Sequence, residues 1–223
     1  MYPHRHVRFA AGMIAASFAL VVSPLALAGP IDIQGDTGNS TEGLGDFTGT
    51  IDYTSTGGDT GTLIIELTNT SDPSNGGFLT AFVFNINSSD DSASATLSST
   101  TDDDFLNLTG DGLEAPPFGT FEAGAGLHGE FLGGGSPNGG IVVGDTETFT
   151  FDIVASDADT LESRDFVLGP NEFDFVVRFR GFEDGGSDKV PGVPVNIIPL
   201  PAPIALAGIG LPMALILARR LKR

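Results

Sequence analysis

Acidic side chains are the most abundant ionisable groups in this chain, at 29 of 223 residues. Three short runs place them at loop-like spacing. Asp102, Asp103 and Asp104 stand together in "STTDDDF", Asp157 and Asp159 in "SDADT", and Asp184 and Asp188 in "FEDGGSD". Hard oxygen donors on turns suit Ca²⁺. None of the three runs follows the D-x-[DN]-x-[DN]-G loop with its distal Glu. The expectation is solvated acidic turns and no cofactor, with Ca²⁺ at Asp102, Asp103, Asp104, Asp157 or Asp159 as the competing reading.

Other chemistries have less to build on. Carboxylates suffice in number for a glycoside hydrolase pair, but abundance removes the signal. Sugar rings stack on Trp or Tyr in many binding sites. This chain has no Trp, and Tyr53 falls on a face expected to point inward. Beyond the first few residues, His128 in "GLHGEF" is the one histidine. No G-x-S-x-G elbow accompanies it, and a two-His or three-His metal site cannot be assembled. With no Cys there is no disulfide framework, thiolate site or cysteine nucleophile. No catalytic residue is assigned.

The elements that would carry these residues read as strands. Phe47, Ile51 and Tyr53 alternate with Thr48, Thr50, Asp52 and Thr54. Leu63, Ile65 and Leu67 share one face, as do Phe82, Phe84 and Ile86. Phe149, Phe151 and Ile153 alternate with Thr148, Thr150 and Asp152. Phe173, Phe175, Val177 and Phe179 alternate with Asp174, Val176, Arg178 and Arg180. Period two gives each run one dry and one wet face. Thr, Val, Ile and Phe favour strands, and "STGGD", "SDPSNGG", "SPNGG" and "EDGGSD" supply turns. The pattern predicts an all-β fold. It is a single antiparallel β-sandwich, Greek-key or jelly-roll-like, with the Phe residues as core. Twelve Gly fall between Gly110 and Gly144. Without a following Lys and a helix start they form no phosphate cradle, and the segment reads as a long loop crossing the sandwich. Asn39, Asn69, Asn87 and Asn107 head Asn-x-Ser/Thr triplets that the abundance of these residues explains.

Charge separates the chain into parts. Between the two hydrophobic ends stand all 29 acidic residues and four basic ones, Arg164, Arg178, Arg180 and Lys189, a net of −25. Such a body repels nucleic acid and anionic lipid. His4, Arg5, His6 and Arg8 precede the apolar "FAAGMIAASFALVV", and Ala26 and Ala28 offer an A-x-A site ahead of Gly29. This predicts a secretory signal peptide over residues 1–28, cut by signal peptidase between Ala28 and Gly29, with a retained membrane anchor as the competing reading. At the other end, Ile204 to Ala218 is an apolar run of 15 residues interrupted by Pro212. As a helix it would be about 22 Å long, short of a ~30 Å hydrocarbon core. It can stop a chain in transit but makes a poor permanent anchor. Basic groups outside both apolar segments fit a body that is exported.

Pro199-Leu200-Pro201-Ala202, a short apolar helix, and Arg219-Arg220-Leu221-Lys222-Arg223 together resemble the PEP-CTERM class of sorting signals, closest to its VPLPA variant. Ile198 stands where the variant has Val. The resemblance covers about the last 26 residues. It implies a bacterial protein that is transiently anchored in the inner membrane and processed near the Pro motif by an exosortase-type membrane enzyme. Its destination is then the cell surface or the extracellular space, often in bacteria that make exopolysaccharide. "LTNTSDPSNGGFLTAFVFNI", "GGIVVGDTETFTFDI" and "FVVRFRGFEDGGSDKVPG" resemble, more loosely, the secreted β domains such proteins carry, and no activity comes with that likeness. The organisation expected is a signal peptide (1–28), a β body (29–190), a linker (191–198) and a sorting segment with a short transmembrane helix (199–223). The leading functional expectation is a non-enzymatic envelope or matrix protein. The alternatives are a carbohydrate-binding module of the exopolysaccharide matrix and a carboxylate-based glycoside hydrolase.

Overall fold

The computed structural model describes residues 29–108, 113–133 and 135–195. The signal-site residues Ala26 and Ala28 lie outside the described residues. So do the sorting-motif residues Pro199, Leu200, Pro201, Ala202, Arg219, Arg220, Lys222 and Arg223.

Among the described residues there are twelve strands: β1 (Ile31–Gly35), β2 (Phe47–Gly57), β3 (Thr60–Asn69), β4 (Gly76–Phe84), β5 (Ser94–Thr100), β6 (Phe105–Asn107), β7 (Leu113–Glu114), β8 (Thr120–Phe121), β9 (Ala123–Leu127), β10 (Thr146–Val154), β11 (Phe175–Phe182) and β12 (Ser187–Pro194). Ten of them form one continuous sheet in the order β5-β10-β3-β2-β1-β12-β11-β4-β9-β6, and β7 pairs with β8. Every neighbouring pair is antiparallel. The β2–β3 hairpin turns at Gly57 and Gly58, with φ of +105° and +64°. These are conformations that glycine adopts without steric cost.

This sheet folds back on itself into two facing layers. Phe82 on β4 meets Phe149 and Phe151 on β10 edge-to-face, with ring centroids 4.8 and 6.0 Å apart. Phe84 meets Phe151 at 5.1 Å, and Phe105 on β6 meets Phe149 at 5.1 Å. These are favourable aromatic geometries on top of the area they bury. β12 passes from one layer to the other, since its residues up to Pro191 pair with β11 while Gly192, Val193 and Pro194 pair with β1. Pairing thus runs past Val190, where the sequence placed the end of the body. The outer strands β5 and β6 are tied by Asn107, whose side-chain oxygen accepts from the Leu97 N–H at 2.7 Å.

The alternation read from the sequence sets the inner face of β2, β3 and β10. Phe47, Ile51, Leu63, Ile65, Leu67, Phe149, Phe151 and Ile153 are all fully buried. On β4 and β11 the outer face is buried as well. Ala81, Val83 and Val176 pack under Leu108, Ala115, Phe121 and Phe131 in a second apolar cluster. The expected wet-face residues Asp174 and Val176 are therefore inside. The cover is the glycine-rich segment itself. It is not a bare loop, since it contains β7, β8 and β9. Gly126 on β9 shows why glycine is used, because a Cβ there would lie 2.9 Å from Cβ of Ala81.

Candidate functional site

The acidic runs do not converge. Asp102, Asp103 and Asp104 form the turn between β5 and β6, and Asp157 and Asp159 follow β10. Thr100 pairs with Phe149 near the start of β10, while Ser94 pairs with Val154 at its end. At ~3.4 Å per residue the two runs stand roughly 25 Å apart. Within the first run, the Asp104 N–H donates to the Asp102 carboxylate at 2.9 Å. Asp157 accepts from Ser88 Oγ, Ser89 N–H and Ser89 Oγ at 2.5 to 2.7 Å. The Ser88 hydroxyl, followed by the Ser89 donors, holds its carboxyl below the usual range. Asp90 reciprocates, accepting from Ser156 N–H at 2.7 Å and from Ser92. The loops before β5 and after β10 are thus clasped by two carboxylates. No group of three or more His, Asp or Glu side chains placed to hold a metal ion occurs among the described residues.

Asp188 has a different role. It is fully buried on β12. One carboxylate oxygen accepts from Thr41 Oγ1 and Glu42 N–H, both at 2.9 Å. The other accepts from Leu44 N–H at 2.8 Å and Gly45 N–H at 3.0 Å. Asp174, also buried, accepts from Asn85, Asn171 and Gly169 N–H. A buried carboxylate needs such donors, because losing water without replacing its hydrogen bonds is costly. His128 lies exposed in the turn after β9 with φ +59°.

Three of the four basic residues of the body sit together. Arg178 and Arg180 are two apart on β11, and Lys189 on β12 is the cross-strand partner of Arg178. Arg178 donates to the carbonyls of Phe131 and Gly133, and Arg180 donates to that of Gly135. They hold the glycine-rich cover against the sheet. Burial, then the neighbouring Arg180, lowers the Arg178 pKa. Burial, then Arg178, lowers that of Lys189.

A depression of about 500 Å³ lies between two loops. Its walls are Thr37 and Gly43 to Asp46 on one side and Thr70 to Pro73 with Asn75 on the other. The second wall is the "SDPSNGG" turn. Ser74 N–H and Oγ both donate to Asp72, at 2.8 and 2.7 Å, and Asn75 N–H donates to the Asp72 carbonyl at 2.9 Å. These Ser74 bonds lower the Asp72 pKa. Asp46 is half-buried, and burial raises its pKa against the opposing bond from Phe47 N–H.

Buried polar groups brace both walls. Asp188 gathers the first wall through Thr41, Glu42, Leu44 and Gly45. Ser71, buried, accepts from Asp46 N–H at 3.0 Å and joins the walls. Asn69, also buried, takes the Ser71 N–H at 3.1 Å and donates to the Ile141 carbonyl at 2.8 Å. Asn75 Nδ2 donates to the Leu44 carbonyl at 3.2 Å across the gap. Sequence reading gave "SDPSNGG" as a turn and Asp188 as an acidic-turn residue. It did not connect them, because most of the groups that connect them are backbone N–H donors.

No family model matches the chain, and no curated protein does. Among solved structures, the chain aligns with a biomass-sensing module from Rsgi-like proteins of Clostridium thermocellum, described as resembling the family 3 carbohydrate-binding module of the cellulosome. The alignment covers 69% of this chain and 93% of that one, at 9% identity and a TM-score of 0.30.

Proposed function

We propose that this chain is a non-enzymatic, exported bacterial envelope or matrix protein whose jelly-roll-like body associates with extracellular polysaccharide. The signal peptide and PEP-CTERM-like tail are its transient handles for signal peptidase and an exosortase-type enzyme. The observation that carries the polysaccharide association is the braced depression, a concave surface lined by hydroxyl, amide and carboxylate groups.

The competing hydrolase reading draws on Asp46 and Asp72, whose surroundings push their carboxyls in opposite directions. That is the pattern of an acid and base pair. Against it, Asp72 is exposed on an open rim and Asp46 is tied to its own backbone neighbour. The buried carboxylates Asp174 and Asp188 are engaged by the fold.

The test is to recover the protein from its native host's extracellular matrix, measure its intact mass, and incubate it with the matrix polysaccharide. The expected species starts near Gly29, lacks "ARRLKR", co-sediments with polysaccharide and releases no reducing ends. Recovery of the intact Arg223 end from membranes would overturn the sorting proposal. Release of reducing ends that is lost in Asp46→Asn would replace the non-enzymatic reading with a hydrolase.

A further inference from the structure

We infer that the depression between residues 37–46 and 70–75 is the subsite that takes a neutral sugar unit of such a polysaccharide, an inference that rests on the polysaccharide reading above. Its volume of about 500 Å³ falls in the ~300–1,000 Å³ range of small-ligand sites. Two carboxylates and no basic residue line it. That sign of charge, on a body of −25, turns away uronates, sulfates and phosphates. A sugar hydroxyl is a different partner. It donates to a carboxylate in a charge-assisted bond, which is shorter and stronger than a neutral one. Asp46 and Asp72 each use one side-chain oxygen, Oδ1, on the bonds described above. The Thr37 and Thr70 hydroxyls and the Asn75 side-chain oxygen add groups that donate or accept. Leu44 and Pro73 are the apolar members of the lining. They offer a C–H surface to the face of a sugar ring in a chain that has no Trp.

Rigidity is the second argument. Seven polar or charged residues are buried among the described residues: Asn69, Ser71, Thr80, Asn85, Ser163, Asp174 and Asp188. Three of them, Asn69, Ser71 and Asp188, brace the walls of this one depression. A buried polar network with its bonds made fixes one geometry. A wall already fixed loses little conformational freedom on binding, which favours a weakly contacting ligand such as a sugar.

The test is affinity electrophoresis of the full-length chain through native gels. The gels contain laminarin, galactomannan or hydroxyethylcellulose as neutral polysaccharides, or alginate as a uronate polymer. Wild type is expected to be retarded by at least one neutral polymer and not by alginate. Thr70→Arg, which fills the depression, and Asp72→Asn, which keeps the turn but removes the charge, should weaken that retardation at least tenfold. Thr96→Arg, the same charge change on exposed β5, should leave it unchanged. Melting curves confirm that each variant is folded, and if Thr70→Arg is not, Asp72→Asn with Asp46→Asn decides. Wild-type retardation in the folded depression variants overturns the site and leaves the polysaccharide reading standing. Retardation by alginate alone overturns the neutral class. No retardation of wild type by any polymer removes the polysaccharide reading and the site together.

Discussion

Asp188 lies inside the fold with four donors around it, three of them backbone N–H groups from residues 42 to 45. An ionised carboxylate is the side chain suited to this, since its two oxygens accept on every side and donate nowhere. Asn is nearly the same size but presents an NH₂ group to two of the four donors. Each buried donor left without an acceptor costs about 1–3 kcal/mol. Asp188→Asn should therefore lower unfolding stability by at least about 2 kcal/mol. It should also speed amide hydrogen exchange at Glu42, Leu44 and Gly45. Asp184→Asn on the exposed turn nearby should stay within about 0.5 kcal/mol of wild type, because an Asn oxygen can still accept from Gly186 N–H. Equal effects from the two substitutions, read from denaturant midpoints, would remove Asp188 from its bracing role. The acidity of Asp188 was legible in the sequence, but its role was not. Its partners lie more than 140 residues away in the chain and are mostly main chain, which carries no residue-type signature.

Among the elements, the strands with one wet face were the legible ones. Phe149, Phe151 and Ile153 alternate with Thr148, Thr150 and Asp152 because β10 is covered on one side only, and a one-residue slip would turn every Phe to water. β4 and β11 hid their second buried face. Ala81, Val83 and Val176 are covered by Leu108, Ala115, Phe121 and Phe131, which stand apart in loops and a two-residue strand and so show no period of their own. Loops are held by a different device, the clasp of Asp90 and Asp157. Both carboxyls sit below the usual range because serine hydroxyls and backbone N–H groups of Ser89, Ser92 and Ser156 hydrogen-bond their charged forms. A depressed folded pKa means stability that is present above the ordinary value of about 3.9. That stability is lost as pH falls through the folded pKa. Asp46 and Asp165 run the other way, since burial raises both. Acidification through their folded values favours the folded state. Stability should thus hold or rise slightly as pH drops from 7 toward about 4, then fall steeply below it. Asp157→Asn should flatten the steep part and spare the upper part. Guanidinium midpoints measured from about pH 2 to 7 would show this, and an unchanged acid limb in the variant would remove the clasp as its cause.

At the scale of the whole molecule, the charge is as unevenly placed as it is large. Against 29 acidic residues the body has four basic ones. Arg164 pairs with Glu162 at 2.8 Å on the surface, a contact of the kind worth ~0–1 kcal/mol. Arg178, Arg180 and Lys189 crowd onto one patch of β11 and β12, where Arg178 and Lys189 face each other across strands. Like charges opposed in this way repel. With three of the four cations gathered on one patch, most of the 29 acidic residues have no cation beside them, and that surface repels itself with little local compensation. Unfolding spreads those charges apart, so the repulsion weighs on the folded state. Raising ionic strength from about 0.01 M to about 0.15 M shortens the screening length from about 30 Å to about 8 Å. NaCl should therefore raise the melting temperature, by about 2–4 °C for each kcal/mol of repulsion removed in a chain of this size. The effect should level off once the screening length is shorter than the spacing of the loops. CaCl₂ at matched ionic strength should track NaCl. The charged forms of Asp90 and Asp157 already receive hydrogen bonds within the clasp, and the Asp102–Asp104 turn stands roughly 25 Å from the Asp157 run. A site filled to 100 times its dissociation constant would instead add about 2.7 kcal/mol. A saturable, Ca²⁺-specific rise of that size, abolished by Asp→Asn changes at positions 102, 103 and 104, would show that one acidic turn binds the ion and that its charge does more than solvate.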